Sequence, residues 1–239
     1  MKEKIIKWIK KQVRLARAEG IVMGLSGGVD SAVVAALVKQ AVGPRRLLVL
    51  ILPCHSQIQD LKDAKLVAKK LDIKTKTIDL LKIYDTLIKV LPKAGSLAKA
   101  NLKPRLRMLV LYYFANKLNY LVCGTGNKSE LMVGYFTKHG DGATDILPIG
   151  GLLKRQVREL ARELGIPNRI ITKPPSAGLW LGQTDEGEMG LTYPELDEIL
   201  ERIENKNKQI LTQEKVNKVK RMIKRSAHKR QGPRICYIK

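Results

Sequence analysis

The stretch "MGLSGGVDSAVV", residues 23 to 34, sets a paired glycine, two serines and an aspartate directly behind an apolar run. IVMGL (21–25) reads as a strand, and Ala32 to Val42 reads as a helix. The loop between them, residues 24 to 31, therefore lies where a strand turns into a helix. The unpaired N–H groups of a first helical turn converge there, and the helix dipole adds partial positive charge. Glycines let the backbone approach a bulky oxyanion, and Ser26 and Ser31 can add hydroxyl donors. Gly24, Leu25, Ser26, Gly27, Gly28, Val29, Asp30 and Ser31 are thus the candidate phosphate cradle. Asp30 is the odd member, because a carboxylate beside phosphate is repulsive unless a cation stands between them, and this points to Mg²⁺. The plainer alternative is a helix start with Ser26 as its cap and Asp30 as a first-turn acid. The complete hexapeptide SGGVDS favours the phosphate site. It is not a Walker A loop, since no Gly-Lys-Ser/Thr closes it and Lys39 follows Ser31 by eight residues.

Outward from this loop, apolar runs alternate with helical patterns. RLLVLIL (46–52), KTKTIDL (74–80) and YLVCG (120–124) read as further strands, rich in aliphatic side chains as in a sheet buried on both faces. Gln57 to Leu71 and Pro104 to Leu118 read as helices, and Ile5, Ile6, Trp8, Ile9 and Val13 suggest an amphipathic opening helix. The expected fold is α/β, a doubly wound, Rossmann-like parallel sheet with helices on both faces and a helical C-terminal region. No fifth strand is clear. LLKRQVRELARELG (152–165) reads as a helix stopped by Gly165 before Ile-Pro. TKPPSAGLWLGQTDEGEMG (172–190) reads as a long loop, and long loops in compact domains are usually functional. Residues 1–239 are expected to form a single domain.

Composition narrows the function classes. No apolar run approaches the roughly eighteen residues of a membrane span, and the Lys- and Arg-studded start, without an uninterrupted apolar stretch, does not read as a signal peptide. Cys54, Cys123 and Cys236 are odd in number and lack CxxC or CxxH spacing, which fits a reducing cytoplasm without disulfide framework or zinc site. The net charge of +23 implies an anionic partner. Residues 201 to 239 carry thirteen Lys or Arg against three Glu, most of which read as a solvated helical surface.

SGGVDS resembles the PP-loop of the ATP pyrophosphatases, which cleave ATP between its α and β phosphates. Three longer blocks specify the resemblance: "GTGNKSELMVGYFTKHGDGATDILPIGGLLK" (124–154), "KPPSAGLWLGQTDEGEMGLTYPELD" (173–197) and "SAHKR" (226–230). They look like the ammonia-dependent NAD⁺ synthetases, of the adenine nucleotide alpha-hydrolase fold type. The implied reaction is attack of the carboxylate of nicotinic acid adenine dinucleotide on the α phosphorus of ATP. Pyrophosphate leaves, and ammonia then displaces AMP to give the amide. The resemblance further implies a homodimer with the dinucleotide at the subunit interface.

It also implies residue roles. Thr125, Lys154 and Ser176 would contact ATP, and Glu130 would complete the Mg²⁺ site begun by Asp30. Two carboxylates with phosphate oxygens suit a hard octahedral ion. Lys154 opens a helix, a poor place for a cation unless a triphosphate sits there. Arg105, Lys138, Asp145, His228 and Lys229 would hold the dinucleotide. GTGNKS itself is not a P-loop, since Asn127 stands where Gly should precede Lys and Val122 occupies the first Gly position. The second step needs neutral ammonia, and a buried carboxylate can take the proton of ammonium. Asp141 in HGDGATD is the expected residue, with Asp185 or Glu186 of the QTDE loop as alternatives. Glutamine-using relatives resemble this domain fused to an amidase domain, for which 239 residues leave no room, so free ammonia is the expected donor unless a separate glutaminase supplies it. Two rival readings stay open: a tRNA-modifying PP-loop enzyme, which would use the positive charge, and a non-catalytic nucleotide-binding module.

Overall fold

In the computed structural model, which describes residues 1–180, 182–205 and 212–238, strand β1 (Gly20–Gly24) sits between β2 (Leu47–Ile51) and β4 (Tyr120–Val122), with β3 (Thr75–Thr77) beyond β2. All pairings are parallel, and Ile21 is in register with both Leu47 and Leu121. The unbroken apolar runs follow from period-2 alternation between two cores. Ile21, Met23, Leu47, Val49 and Ile51 face one, while Val22, Leu48, Leu50 and Leu52 face the other. The first core is covered by α1 (Lys2–Leu15), α2 (Val29–Val42) and α3 (Ile58–Lys70). The second lies under α4 (Leu81–Val90) and α6 (Leu102–Leu118), with the short α5 (Ser96–Ala100) against α6. The doubly wound sheet expected from the sequence is therefore present. Among the described residues, no helix is long and apolar enough to cross a membrane.

Beyond β4 the chain is helical: α7 (Lys128–Val133), α8 (Lys154–Glu163), α9 (Asn168–Ile171), α10 (Asp185–Met189), α11 (Tyr193–Glu204) and α12 (Gln213–Arg225). Helix α8 joins the first core through Val157, Leu160 and Ala161. Helices α7, α11 and α12 build a third core around Tyr193, Leu196 and Val219. Two local expectations change, those for the third strand and for the long loop. The third strand is shorter than 74–80: Asp79 accepts the Leu81 N–H at 2.9 Å and turns the chain into α4. Ile146 pairs with Cys123 through one isolated bridge rather than forming a fifth strand. The loop expected over 172–190 ends in α10, because the Thr184 side chain accepts the Gly187 N–H and starts a helix; Leu181 lies outside the described residues.

Ten of the fourteen residues of α2 are buried. Small and β-branched side chains, Ala32, Val33, Val34, Ala35 and Ala36, let it pack against α1, the sheet and α8. That burial fixes the position of its N-terminus, where the cradle lies.

Candidate active site

The cradle forms where β1 ends. Leu25 donates its N–H to Leu50, extending the sheet, and the chain then turns at Gly27 with φ +84°. Gly27 is required twice over, by that left-handed conformation and because a Cβ would sit 2.5 Å from the Asp60 carbonyl oxygen. Gly28, not Ser26, is the residue preceding α2. The Ser26 hydroxyl accepts the Gly28 N–H at 3.2 Å and lies 3.0 Å from the Ser31 hydroxyl, which donates to the Gly28 carbonyl. The two serines thus hold the turn closed around the first amides of α2, whose N–H groups have no partner inside the helix.

Beneath the cradle lies a buried charged cluster. Lys154, 1% exposed, directs its ammonium between two carboxylates, at 2.5 Å from Asp30 Oδ2 and 3.1 Å from Glu130 Oε1. Asn127 holds both acids: its side-chain amide donates to Asp30 Oδ1 at 2.9 Å, and its backbone N–H donates to Glu130 Oε2 within the capping box of α7. Each acid therefore presents one oxygen to one point, now taken by the ammonium. Tyr193, also 1% exposed, faces Glu130 Oε1 at 3.2 Å and Asp185 Oδ2 at 2.9 Å. Its hydroxyl has one proton for two carboxylates, so the arrangement is satisfied when an acid carries a proton. Burial pushes Glu130 up to about 7 against the opposing pull of Lys154, and burial raises Asp185 as well. Burial opposes the charge of Lys154, but the paired Asp30 and Glu130 outweigh it and hold the pKa above its ordinary value. The unfavourable helix-start position of this lysine is thereby offset. Asp197 accepts the Arg155 N–H and the Ser129 hydroxyl, Ser129 in turn accepts the Lys154 N–H, and these bonds complete the cap of α8.

The cradle and this cluster line one cavity of about 610 Å³ at the C-terminal ends of the strands, where open α/β sheets take ligands. Thr125, Ser176, Asp141 and Lys229 line it as well. Asp141 is accessible to cavity water yet surrounded by protein. One of its oxygens accepts the Thr137 N–H at 2.9 Å, and desolvation raises its pKa. Of the alternatives to it, Asp185 lines the cavity, while Glu186 accepts the Tyr193 N–H and caps α11.

Arg105, Lys138, His228 and Lys229 come together along the edge of the cavity. Arg105 donates to the Lys138 carbonyl at 3.3 Å, Lys138 to the His228 carbonyl at 2.7 Å, and Lys229 to the carbonyls of Gly134 and Phe136. Asp145 is not brought into the cavity. Its carboxylate accepts the Val122 N–H at 2.7 Å and the Tyr112 hydroxyl at 3.1 Å, tying the edge of β4 to α6. Arg105 and Tyr112 lie two helical turns apart and share one face of α6, so Asp145 and the basic group flank the same strip.

Sequence reasoning missed Asn127, Tyr193 and Arg107 as site residues. Arg107 donates to the Leu52 carbonyl at 3.0 Å and faces the cavity without a carboxylate partner among the described residues. Its signal was the second arginine of KPRLR. Tyr193 carried no such signal, because only the fold brings it to Glu130.

A glycine-turned amide cradle thus stands over a lysine shared by two acids at the end of a parallel sheet. The NAD synthase family model matches residues 1–233. The chain is 50% identical over 238 residues to the NH₃-dependent NAD⁺ synthetase of Carboxydothermus hydrogenoformans, covering 98% of this chain and 95% of that protein. It is 49% identical to the corresponding synthetase of Archaeoglobus fulgidus, covering 99% and 96%. The solved NMN synthetase of Francisella tularensis superposes with a TM-score of 0.91 at 40% identity, covering 99% of this chain and 97% of that one. The chain belongs to the NAD synthase family.

Proposed function

We infer that this chain makes NAD⁺ by ATP-dependent amidation of nicotinic acid adenine dinucleotide with ammonia, through an adenylated intermediate, releasing AMP and pyrophosphate. The observation that carries this reading is the Lys154 ammonium held between Asp30 and Glu130 directly beneath the cradle, in a chain whose relatives are named for that reaction. The first step needs positioning and charge neutralisation more than acid–base work. The α2 amides and the Ser26 and Ser31 hydroxyls bind the departing pyrophosphate, and Lys154 transfers its charge from the carboxylates to phosphate oxygens. Thr125 and Ser176 orient the nucleotide. Mg²⁺ would be held by Asp30 and Glu130, whose Oδ2 and Oε1 already converge on one cation, the Lys154 ammonium; bound there it would neutralise phosphate charge. In the second step Asp141 takes a proton from ammonium.

The decisive assay mixes ATP, Mg²⁺ and either ammonium or glutamine with the nicotinate dinucleotide. AMP, pyrophosphate and the amide should form with ammonium and not with glutamine. Absence of AMP under all conditions would return the chain to a nucleotide-binding module, and strongly salt-sensitive tRNA binding without turnover would favour the modifying-enzyme reading. The Francisella neighbour is named for a mononucleotide product, so nicotinic acid mononucleotide belongs in the same assay as a competing acceptor.

Arg105, Lys138, His228 and Lys229 are assigned to the dinucleotide because they form one basic strip at the cavity edge, and Asp145 because it flanks that strip. Arg105→Ala should raise the KM for the dinucleotide roughly tenfold and leave that for ATP within about twofold, as loss of one charge-assisted contact predicts. Equal effects on both would remove Arg105 from the acceptor site. We assign a second copy of the chain to the face of α4, α5 and α6, where Ile83, Val90, Leu97, Leu109 and Tyr113 are all more than half exposed beside Arg105. Leu109→Glu should convert the dimer to monomer in sedimentation, whereas an unchanged mass would place the interface elsewhere. Residues 1–239 are read as one functional unit, and free cysteines, two of them buried, suit a cytoplasmic setting.

A further inference from the structure

Lys103 stands on the first turn of α6 and is 6% exposed. Lysines are rarely buried without a carboxylate, because desolvating the ammonium is costly. Among the described residues none pairs with this one. Its hydrogen bond goes instead to the backbone carbonyl of Leu179, 76 residues along the chain, at 2.5 Å, and its ammonium lies 5.7 Å from the centre of the Tyr84 ring. Burial lowers its pKa, as expected for a cation with only a carbonyl and an aromatic face to replace water. Leu179 ends a glycine- and proline-rich segment, 173–180, that lines the cavity and carries Ser176. The opposite end of that segment is fastened by Lys173, which donates to Asp60 at 2.6 Å and to Asp63 at 2.8 Å on α3. Between these points the segment has no regular secondary structure; the Pro175 carbonyl accepts the Asp185 N–H at 3.0 Å, the Leu179 N–H donates to Gln183 at 2.7 Å, and the Gly178 N–H donates to the Ser176 hydroxyl. No other hydrogen bond joins 173–180 to α6 among the described residues. The segment is a strap fastened at one end to α3 by its own Lys173 and at the other to α6 by Lys103, with its middle resting on the start of α10.

We propose that Lys103 is a positioning residue: by holding the Leu179 carbonyl it keeps the 173–180 strap, and with it Ser176, across the nucleotide end of the cavity. The proposal rests on the reading of that cavity as the ATP site. A buried charge donated to a backbone carbonyl suits this task, since the bond is strong enough to hold the strap yet tolerates sequence change at residue 179.

The test uses Lys103→Met, which keeps the apolar stem, with Lys103→Gln as a second neutral variant and Lys103→Arg as the conservative one. Two readouts are taken: chymotrypsin cleavage after Trp180, which is 41% exposed beside Leu179, and the separate KM and kcat for ATP. In both neutral variants cleavage should rise about tenfold, as loss of a charge-assisted hydrogen bond implies, and the KM for ATP should rise by a similar factor with kcat within about threefold. Lys103→Arg should restore both. The melting temperature of Lys103→Met should not fall, because an apolar stem replaces an unpaired buried charge. Unchanged cleavage overturns the tether, and raised cleavage with an unchanged KM for ATP overturns its coupling to the nucleotide. The protease readout stands whatever reaction the assay reveals, so failure of the strap and failure of the ATP reading are distinguishable.

Discussion

Lys154→Met is expected to cost both folding stability and catalysis, and to show how the two are joined. With the ammonium gone, Asp30 and Glu130 face each other at the point they now share, with side-chain exposures of only 17% and 16%. Removing one member of a buried ion pair costs about 3–5 kcal/mol, so the melting temperature should fall by several degrees or more. The pH dependence has a definite sign. Glu130 already titrates at about 7 in the folded chain, above its unfolded value, and loss of Lys154 raises it further. A carboxyl that binds its proton more tightly when folded contributes stability at low pH that is lost as pH rises through its folded pKa. The variant should therefore be most destabilised above about pH 7 and partly recover toward pH 5. Mg²⁺, able to take the place of the ammonium, should also restore part of the loss. Pyrophosphate release should drop by about 10³-fold or more, because a charge that neutralises the departing group is missing from a water-poor site. A melting temperature equal to that of the parent at pH 8 would mean that the two acids do not depend on Lys154.

Asp30→Asn should separate the two effects. Asparagine keeps the size and can still accept from Asn127, so the fold should remain near native by circular dichroism. The buried Lys154 retains Glu130, and the stability loss should be smaller, about 1–3 kcal/mol. AMP formation should fall about 10³-fold or more, since the neutral side chain neither compensates the lysine nor holds a divalent cation. Undiminished turnover would remove Asp30 from the metal site.

The parts of this molecule that were legible in its sequence are those where local pattern and global fold agree. IVMGL and RLLVLIL alternate between two cores, so both periods are apolar and the strands read as buried runs. SGGVDS is legible because it turns at Gly27, a position that tolerates no side chain. The edge of the sheet was less so: Thr75 to Thr77 offers no aliphatic run, and the chain leaves the ladder early at Asp79. Helix α4 was not read from the sequence, although its apolar and polar residues are segregated at helical spacing. In the site, Asp30, Glu130 and Lys154 were readable from motif blocks, whereas Tyr193 reaches Glu130 only when α11 packs beside α7. Asn127 reads in the sequence as a misfit to the P-loop pattern, although its place three residues before Glu130 is the signature of a capping box.

The burial of α2 limits how this protein can work through a cycle. A helix wedged against neighbours on nearly every side cannot tilt or slide to let products go, since any such shift would open the main core. The floor of the chamber must stay still while its roof and edge do the moving, so turnover speed should follow the looseness of the peripheral segments rather than the overall sturdiness of the molecule.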